Sequence, residues 1–335
     1  MKDKLILIEG GGSIGKRHIN NLQKLGFSNL YCLKRKPDMN FEKEFNVKVI
    51  TDYNQLTHKP FAVFVCNPTS LHISSLEKAV KNNAHVFMEK PLTYDREEWK
   101  KAKALLTNYN QTFFIGFMLR YHPLVKEIHN IIRNEKLGKV FSARFEFGSY
   151  LPYWHPYEDY HISYAARKEL GGGVIHTITH ELDLILHYFG IPNEVSAHKM
   201  NLNKLQIDVE EIFEGTFIYE DKIVTLHLDY LQKDYDRRIS ILFDEGSLRW
   251  NWHENMIVIK KHKETEKKIK LENFDVNKLY IDELIDFFKI IEKKETKKLD
   301  KETALINSDL ALRLHEAAET KKNVPIKNID YGTYT

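Results

Sequence analysis

Three glycines near the start of the chain have the spacing of a phosphate-binding turn. Gly10, Gly12 and Gly15 form the pattern G-x-G-x-x-G directly after the apolar run Leu5–Ile8. In a strand–turn–helix unit the first glycine allows a tight turn, the second lets a pyrophosphate approach the backbone, and the third lets the helix pack closely. The helix N-terminus adds free N–H groups and a positive dipole end. The pattern predicts dinucleotide binding, and a purely structural glycine-rich turn is the competing interpretation.

The end of the second predicted strand bears on which dinucleotide binds. An acid there, about 20 residues after the glycines, would bind the ribose 2′-hydroxyl of NAD. This chain instead reads Leu33-Lys34-Arg35-Lys36. Cations suit a 2′-phosphate through charge pairing and the planar fork of arginine. NADP(H) is therefore favoured, with NAD(H) as the alternative, and an exposed basic turn is the structural interpretation.

Lys90 is the first catalytic candidate. It follows the predicted strand His85–Met88 and Glu89, and it precedes Pro91. In open α/β sheets ligands bind outside the carboxyl ends of the strands, so a lysine there is aimed at the cofactor. A partly desolvated lysine can lose its proton near neutral pH and serve as an acid or a base. Taken alone, a Lys-Pro dipeptide is more often part of a loop.

The second candidate is the segment Leu170–Asp183, in which three glycines precede a predicted helix. On one continuous helix, four side chains at i, i+4, i+7 and i+11 would share a face: His176, His180, Asp183 and His187. Such spacing could chelate zinc. It could equally present an acid–base histidine with a carboxylate that orients it. Histidines satisfied by hydrogen bonds in a core or an interface are the third interpretation.

The elements that position these residues fall into two groups. In the first 120 residues, short apolar runs such as Phe61–Cys66 alternate with amphipathic stretches such as Leu71–Asn82, which predicts a parallel sheet with helical crossovers. After Pro123, residue-by-residue alternation, as in Lys139–Phe147 with Phe141 facing inward, predicts antiparallel strands. The expected fold is α/β, with a Rossmann domain over residues 1–120. An α+β domain with a large, mainly antiparallel open sheet is expected over residues 121–335.

Composition limits the class of protein. The 335 residues include 50 Lys+Arg and 47 Asp+Glu, a net charge of +3 that gives no electrostatic reason to expect nucleic-acid binding. We find no uninterrupted apolar run of about 18 residues, the length of a membrane span. Two cysteines, Cys32 and Cys66, cannot build a disulfide framework. We therefore expect a cytoplasmic protein with a small-molecule substrate and with neither a nucleic-acid nor a membrane partner.

The ordered set of motifs resembles the Gfo/Idh/MocA oxidoreductases, the glucose–fructose oxidoreductase and inositol dehydrogenase family. The resemblance covers nearly the whole chain and rests on Gly10–His18, Asn67–Thr69 with His72, Glu89–Pro91, Gly116–Pro123 and Gly171–Asp183. It implies an N-terminal domain that binds NAD or NADP. It also implies a C-terminal open sheet for the substrate and for assembly into a homodimer or homotetramer. The predicted cofactor-binding residues are Gly10, Gly12, Ser13, Ile14, Gly15, Lys34, Arg35, Asn67, Pro68, Thr69, His72, Glu89 and Lys90.

The resemblance also implies roles for the catalytic candidates. The lysine of its E-K-P motif, near the nicotinamide and the substrate hydroxyl, maps onto Lys90, and its acid–base histidine maps onto His180. Many members carry an aspartate a few residues before that histidine, where this chain has His176 and Thr177. Asp183 is therefore the substitute candidate for orienting His180. The family is metal-independent, so the resemblance sets the zinc interpretation aside and no metal is expected.

The aromatic stretch over residues 150–167 precedes the three glycines. Its flat rings could stack on a sugar, and an arginine could pair with a carboxylate or phosphate, whereas core packing is the alternative for some of these rings. Family members with a similar stretch look related to surface polysaccharides. The predicted substrate-binding residues are Arg120, Tyr153, Trp154, Tyr160, Arg167, His176 and Thr177.

Together these features predict an NAD(P)-dependent oxidoreductase. A hydride would pass between the nicotinamide and a hydroxyl or keto carbon of a sugar, nucleotide-sugar or cyclitol, with surface-polysaccharide sugar biosynthesis as the suggested setting. Three alternatives stay open. They are a glycosidase-type enzyme that recycles a tightly bound NAD, a non-catalytic ligand sensor built on the Rossmann domain, and a metal-dependent enzyme.

Overall fold

The computed structural model describes residues 1–156, 158–293 and 299–326. Its strands are β1 (Ile6–Glu9), β2 (Leu30–Leu33), β3 (Lys48–Ile50), β4 (Ala62–Val65), β5 (His85–Glu89), β6 (Phe113–Gly116), β7 (Val140–Gly148), β8 (Glu194–Met200), β9 (Ile212–Ile218), β10 (Ile223–Asp229), β11 (Asp236–Phe243), β12 (Gly246–Asn251), β13 (Met256–Lys261), β14 (Lys267–Lys270) and β15 (Val324–Pro325). Its α-helices are α1 (Ser13–Lys24), α2 (Met39–Phe45), α3 (His72–Lys81), α4 (Arg96–Thr107), α5 (Pro123–Arg133), α6 (Val174–Thr177), α7 (His180–Phe189), α8 (Asn277–Lys293) and α9 (Lys301–Thr320).

The first of two compact units comprises, among the described residues, 1–118, 276–293 and 299–308. Its parallel strands lie in the order β3-β2-β1-β4-β5-β6, which is a doubly wound order. Every residue of β1, β4 and β6 is buried, as expected for parallel strands with both faces covered. The predicted Rossmann-type sheet is confirmed.

A column of phenylalanine rings crosses the first sheet and meets α8. Phe64 stacks on Phe87 with ring centroids 4.9 Å apart, and Phe87 stacks on Phe114 at 5.2 Å. Phe287 of α8 packs edge-on against the rings of this column, 5.6 Å from Phe87. The helix therefore belongs to the first unit, whereas the predicted division near residue 120 placed it in the second domain. Helical periodicity reveals an apolar face but not which sheet that face covers.

The second unit comprises residues 119–275 and, among the described residues, 309–326. Residues 327–335 of the predicted second domain lie outside the described residues. The unit holds nine strands in the order β14-β13-β12-β11-β7-β10-β9-β8-β15. Only the β7–β10 pairing is parallel among these described strands, and the other neighbours are antiparallel. The predicted large, mainly antiparallel sheet is confirmed.

Strand β7 alternates between core and surface as predicted, except at its start. Ala143 and Phe145 are buried and Arg144 is exposed, but Phe141 is 50% exposed. The pairing of β7 with β11 shifts register between Leu242 and Phe243. A bulge of this kind turns neighbouring residues to the opposite face. The predicted inward position of Phe141 is therefore wrong.

The structure also bears on the cysteines and on membrane insertion. Cys32 and Cys66 are buried free thiols. Burial raises the pKa of Cys32 to about 12 and raises that of Cys66 as well, which disfavours a nucleophilic thiolate. Within the described ranges, no helix combines the length and the apolar character needed to cross a bilayer.

Candidate functional site

The turn after β1 requires glycine at two of its three predicted positions. Gly10 has a φ of +109°, and a Cβ there would lie 2.7 Å from the Cys66 carbonyl oxygen. A Cβ at Gly15 would clash with the Gly10 carbonyl oxygen, so close packing of α1 on the turn needs glycine. At Gly12 a Cβ would meet nothing within 4 Å. The second glycine therefore borders open space, as a turn that admits a pyrophosphate should.

The N-terminus of α1 faces this turn with unpaired backbone donors. The helix begins at Ser13 after the cap residue Gly12, has no side-chain cap, and carries no acid in its first turn. The first N–H groups of an α-helix, which here include those of Ser13 and Ile14, lack intrahelical acceptors. With the dipole they favour an anion. The residues at this turn therefore fit the pyrophosphate of a dinucleotide.

The basic segment after β2 is partly neutralised by an acid that the sequence analysis did not consider. Lys34 Nζ donates to Asp38 Oδ2 at 2.6 Å and lies 4.0 Å from the Phe41 ring centroid. Asp38 also caps α2 by accepting from the Phe41 N–H at 3.0 Å, and the hydrogen bond from Lys34 lowers the pKa of Asp38. Arg35 and Lys36 are exposed. That Lys34 and Arg35 bind a 2′-phosphate stays a prediction.

His72 joins the loop after β4 to the loop after β5 through its two ring nitrogens. Both ring nitrogens of His72 face backbone carbonyls, with Nδ1 2.7 Å from the Pro91 oxygen and Nε2 3.0 Å from the Asn67 oxygen. Burial lowers the pKa of His72, which favours a neutral ring that donates to one of the two. We therefore expect this histidine to hold the loops after β4 and β5 together. Thr69 is buried nearby, at the start of a short 3-10 turn after Pro68.

Glu9, which precedes the glycine turn, supports the same loop. Its carboxylate is 2% exposed and accepts hydrogen bonds from the Tyr53 hydroxyl and, at 2.6 Å, from Ser75 Oγ. Ser75 Oγ in turn accepts from Asn67 Nδ2 at 2.8 Å. A buried acid at the end of an apolar strand was the sequence signal for this network, and it was missed.

Lys90 lies where β5 ends. It is half-buried between Glu89 and Pro91, which are both buried, and the Lys90–Pro91 peptide bond is cis. Glu89 Oε1 lies 2.7 Å from His18 Nε2 of α1. Lys90 thus follows a strand end that is anchored to the helix of the glycine turn.

The segment 174–189 is not one helix, which corrects the predicted shared face. Helix α6 ends at Thr177, Ile178 leaves helical geometry with a ψ of 64°, and α7 begins at His180. Residues 174–179 are rich in Val, Ile and Thr, whose branched Cβ atoms lower helix propensity. His176 instead stacks on His315, with ring centroids 5.3 Å apart. The predicted shared helix face of His176, His180, Asp183 and His187 is therefore wrong for His176, whereas the other three lie at i, i+3 and i+7 of α7.

His180 stands out in its surroundings by its exposure. All other residues from Gly171 to Asp183 are buried, and His180 is half-exposed at the first position of α7. Its neighbours hold the helix in place. Asp183 accepts from Arg120 Nε at 2.9 Å and Nη2 at 2.6 Å, and Glu181 Oε1 accepts from Arg237 Nε at 2.6 Å.

The Asp183–Arg120 pair bears on the roles predicted for these two residues. Both Asp183 oxygens engage one guanidinium, with side-chain exposures of 1% and 10% for the acid and the arginine. Burial raises the pKa of Asp183, and Arg120 opposes this shift. The pair therefore anchors α7 beside His180. Orientation of His180 by Asp183 and substrate binding by Arg120 stay predictions.

Glu210 supports the glycine turn before α6. A Cβ at Gly173, where φ is +106°, would lie 2.5 Å from Glu210 Oε1, and the Ile175 N–H donates to that oxygen at 3.4 Å. Burial raises the pKa of Glu210. Burial also lowers the pKa of His176 to about 3 and that of His315 to about 4, so both rings are neutral at pH 7. Glu210 has no sequence signal, since it lies on a separate segment.

The aromatic stretch forms a series of short 3-10 turns. Tyr153 is 62% exposed, Trp154 Nε1 donates to Ser149 Oγ at 2.8 Å, and the Tyr160 hydroxyl donates to the Leu205 carbonyl oxygen at 3.2 Å. Arg167 pairs with Glu169. The Tyr153 ring also packs edge-to-face with Tyr150, with ring centroids 4.8 Å apart. Substrate binding by these residues stays a prediction, as it does for the buried His176 and Thr177.

The doubly wound sheet and its glycine turn define a dinucleotide-binding protein with a second, mainly antiparallel sheet. Residues 4–117 match an oxidoreductase family with an NAD-binding Rossmann fold, and residues 125–249 match the GFO/IDH/MocA C-terminal domain. Together these matches cover more than half of the chain, which belongs to the Gfo/Idh/MocA oxidoreductase family. The family predicted from the motifs is confirmed.

Individual relatives differ in what their names describe. The chain is 28% identical to the 2,7-anhydro-N-acetylneuraminate hydratase of Escherichia coli (strain K12) over 141 residues, 42% of this chain and 37% of that protein. It is 24% identical to D-xylose 1-dehydrogenase (NADP(+)) 2 of Haloferax volcanii over 266 residues, 77% of this chain and 78% of that protein. Several curated relatives are matched over about two fifths of their length.

A solved structure shows the same fold. Levoglucosan dehydrogenase in complex with NADH and levoglucosan superposes with a TM-score of 0.86 at 17% identity, covering 97% of this chain and 100% of that chain. The agreement extends over both sheets and supports the two-sheet architecture.

Proposed function

We propose that this protein is an NAD(P)-dependent dehydrogenase or reductase that acts on a hydroxyl or keto carbon of a sugar, nucleotide-sugar or cyclitol. The observation that carries the proposal is the turn after β1, where Gly10 and Gly15 admit no side chain and Gly12 borders open space. Relatives named as dehydrogenases of xylose and of inositol support the substrate class. Tyr153, which is 62% exposed, would be accessible to a sugar ring and supports a sugar-like substrate.

The chain's own residues suit both the cofactor and the proton transfer. The glycine turn and the α1 N-terminus would hold the pyrophosphate, and Arg35 would favour a 2′-phosphate, so NADP(H) is the proposed preference. The bound nicotinamide supplies hydride chemistry. Lys90 would polarise the substrate oxygen or relay its proton, and His180 would act as the acid–base group.

Substitution of each proposed proton carrier should separate catalysis from cofactor binding. Lys90→Ala and His180→Ala are each expected to reduce kcat by at least ~10²-fold, the scale of general acid–base catalysis, with unchanged Kd for the cofactor. Lys100→Ala and His262→Ala, at exposed positions, serve as controls. Near-normal turnover in Lys90→Ala would show that Lys90 does not polarise the substrate oxygen or relay its proton.

A substrate screen tests the reaction class. Purified protein is incubated with nucleotide-sugars, inositols and free aldoses, each with NAD+ and with NADP+, and reduced cofactor is followed by absorbance. We expect net reduction with a member of at least one of these classes. Absence of net cofactor reduction with all three, despite tight cofactor binding, would contradict the proposal and leave a ligand sensor or an enzyme that recycles its cofactor.

The hydratase relative supports a second candidate function, an enzyme that recycles a tightly bound cofactor. In such an enzyme the cofactor would be oxidised and reduced within one cycle, so product would form without net formation of NADH or NADPH. Product analysis by mass spectrometry, in parallel with absorbance, distinguishes this candidate from a dehydrogenase.

A further inference from the structure

Three titratable side chains converge inside the first unit, and one of them, Glu89, directly precedes Lys90 in the chain. A nitrogen of His18 (α1) and carboxylate oxygens of Glu89 (β5) and Glu283 (α8) all lie within 4.8 Å of one another. His18 and Glu283 are 0% exposed and Glu89 is 8% exposed. No sequence pattern connects Glu283 with the E-K-P motif, because the two positions lie far apart in the chain.

The members of this trio differ in their hydrogen bonds. Glu89 Oε1 lies 2.7 Å from His18 Nε2. Neither carboxylate oxygen of Glu283 has a hydrogen-bond partner among the described residues. The surroundings are aromatic, since the His18 ring packs edge-on against Phe87 at 5.0 Å and against Tyr280 at 6.4 Å. A buried polar group with no partner is costly, and a buried unpaired charge costs far more.

The balance of buried charge determines whether Glu283 is protonated. Two ionised carboxylates would face at most one cation within the trio, so a net negative charge would be buried. Arg17 of α1 also attracts an ionised Glu283, but its guanidinium packs over the Tyr280 ring at 4.3 Å. The Cys66 thiol also interacts electrostatically with Glu283, but its raised pKa keeps it neutral, so it adds no charge. The least costly arrangement keeps one carboxylate beside His18 and a proton on the other.

We propose that Glu283 is a neutral carboxylic acid at pH 7 that acts as a positioning residue, packing against the Glu89–His18 pair and thereby fixing the strand end that carries Lys90. This inference rests on the proposed function for the role of Lys90, and the charge state can be tested without it. Burial and the nearby Glu89 both raise the pKa of Glu283, in agreement with the charge count. From the other side, a Cβ at Gly116 of β6 would lie 3.3 Å from Glu89 Oε1, so the Glu89 carboxyl is enclosed.

Carboxyl 13C NMR of the full-length protein tests the protonation state directly. Glutamate is labelled at the side-chain carboxyl carbon, and the Glu283 resonance is assigned by its absence in Glu283→Gln. We expect this resonance at the position of a protonated acid at pH 7. A resonance that titrates in the ordinary glutamate range and is ionised at pH 7 would overturn the proposal.

Thermal stability gives an independent readout. The folded state keeps the Glu283 proton above the pH at which an unfolded glutamate loses it, so rising pH destabilises the wild type relative to Glu283→Gln. Between pH 5.5 and 8 the ratio of their unfolding constants should change by up to ~10-fold per pH unit. A Tm difference between the two proteins that is constant over this range would contradict the proposal.

Activity tests the positioning role. Glu283→Ala is expected to lower kcat by at least ~10-fold, since displacing a reacting group is costly, and Glu283→Gln, which keeps the shape and neutrality, should restore most of this loss. If Gln fails to rescue while NMR shows a protonated Glu283, the positioning role is wrong. If no substrate is turned over by the wild type, the proposed function fails and the NMR and Tm results still decide the charge state.

A divalent cation is the competing occupant of the trio. Zn2+ bound by His18, Glu89 and Glu283 would require both carboxylates to be ionised. Calorimetric titration of the full chain with Zn2+ should show no stoichiometric binding that depends on Glu283. Binding that is lost in Glu283→Gln would overturn the neutral-acid proposal.

Discussion

Two residues, Arg35 and Asp38, bear on how the basic turn after β2 is expected to recognise a cofactor. Lys34 is engaged by Asp38 at 2.6 Å, so its charge is partly compensated, whereas Arg35 is exposed. A guanidinium suits a phosphate because its planar fork forms two parallel hydrogen bonds. The residue-level determinant of NADP preference is therefore expected to be Arg35 rather than the sum of three cations.

Arg35→Ala should weaken NADP+ binding and leave NAD+ binding almost unchanged. Hydrogen bonds to a charged group contribute about 1.5–3 kcal/mol, so the Kd for NADP+ is expected to rise ~10- to 150-fold. Lys36→Ala, one residue along the same exposed turn, is the matched control. Fluorescence titration with both cofactors measures the effect, and an equal loss of NAD+ affinity would show that Arg35 does not read the 2′-phosphate.

Single residues differ in how far the sequence could predict them. Gly10 and Gly15 were predictable because the turn leaves no room for a Cβ, and that constraint is local. Glu210 and Glu283 were not, because each acts on a segment remote in the chain. The acid Asp38 was overlooked because it lies beyond the strand end, where it binds Lys34 and caps a helix.

At the scale of elements, α7 owes its position to buried ion pairs rather than to helix propensity alone. Periodicity predicted a helix around His180 but not the break at Ile178, since tertiary contacts decide whether a run of β-branched residues stays helical. The pairs Arg120–Asp183 and Arg237–Glu181 join α7 to other segments of the second unit. His180 is thereby placed by residues that need not touch substrate.

Asp183→Asn should therefore destabilise the protein more than a comparable surface substitution. Removing one member of a buried pair leaves the other charge uncompensated and costs about 3–5 kcal/mol. Asp282→Asn, which breaks the exposed Lys278–Asp282 pair, should cost less than about 1 kcal/mol. Chemical denaturation at pH 7 compares the two variants with the wild type. Equal stability of both variants would show that the buried pair does not anchor α7.

At the scale of the whole molecule, local patterns predicted both sheets but not the return of α8 to the first. Strands that alternate with helices predict a parallel sheet, and strands whose residues alternate between apolar and polar predict an antiparallel one. The doubly wound order then follows from the rules for connections between strands. The edge-on packing of Phe287 against the column of Phe64, Phe87 and Phe114 is a long-range contact. No local periodicity encodes it, so the division of the chain had to come from the structure.

The open face of the nine-stranded sheet carries an apolar patch beside a polar region. Ile223 and Leu242 flank Ser142 in register, on neighbouring strands, and with Phe141 they are each about half-exposed, at 51%, 50% and 50%. Cross-strand neighbours in register project from the same face. Beyond them, Arg144, Glu146, His227 and Arg238 line a cavity of about 280 Å³. We propose that this face joins copies of the chain, as the family resemblance implies.

Leu242→Glu should weaken this self-association. A carboxylate placed in the apolar patch would be desolvated by the neighbouring copy at a cost of several kcal/mol, so the oligomer should dissociate toward the mass of one chain, 39.6 kDa. Met39→Glu, at a position of the first unit that is 68% exposed, controls for added charge. Light scattering coupled to size-exclusion chromatography gives the masses. A wild type that is monomeric at micromolar concentration, or a Leu242→Glu variant with unchanged mass, would rule out this face as the interface.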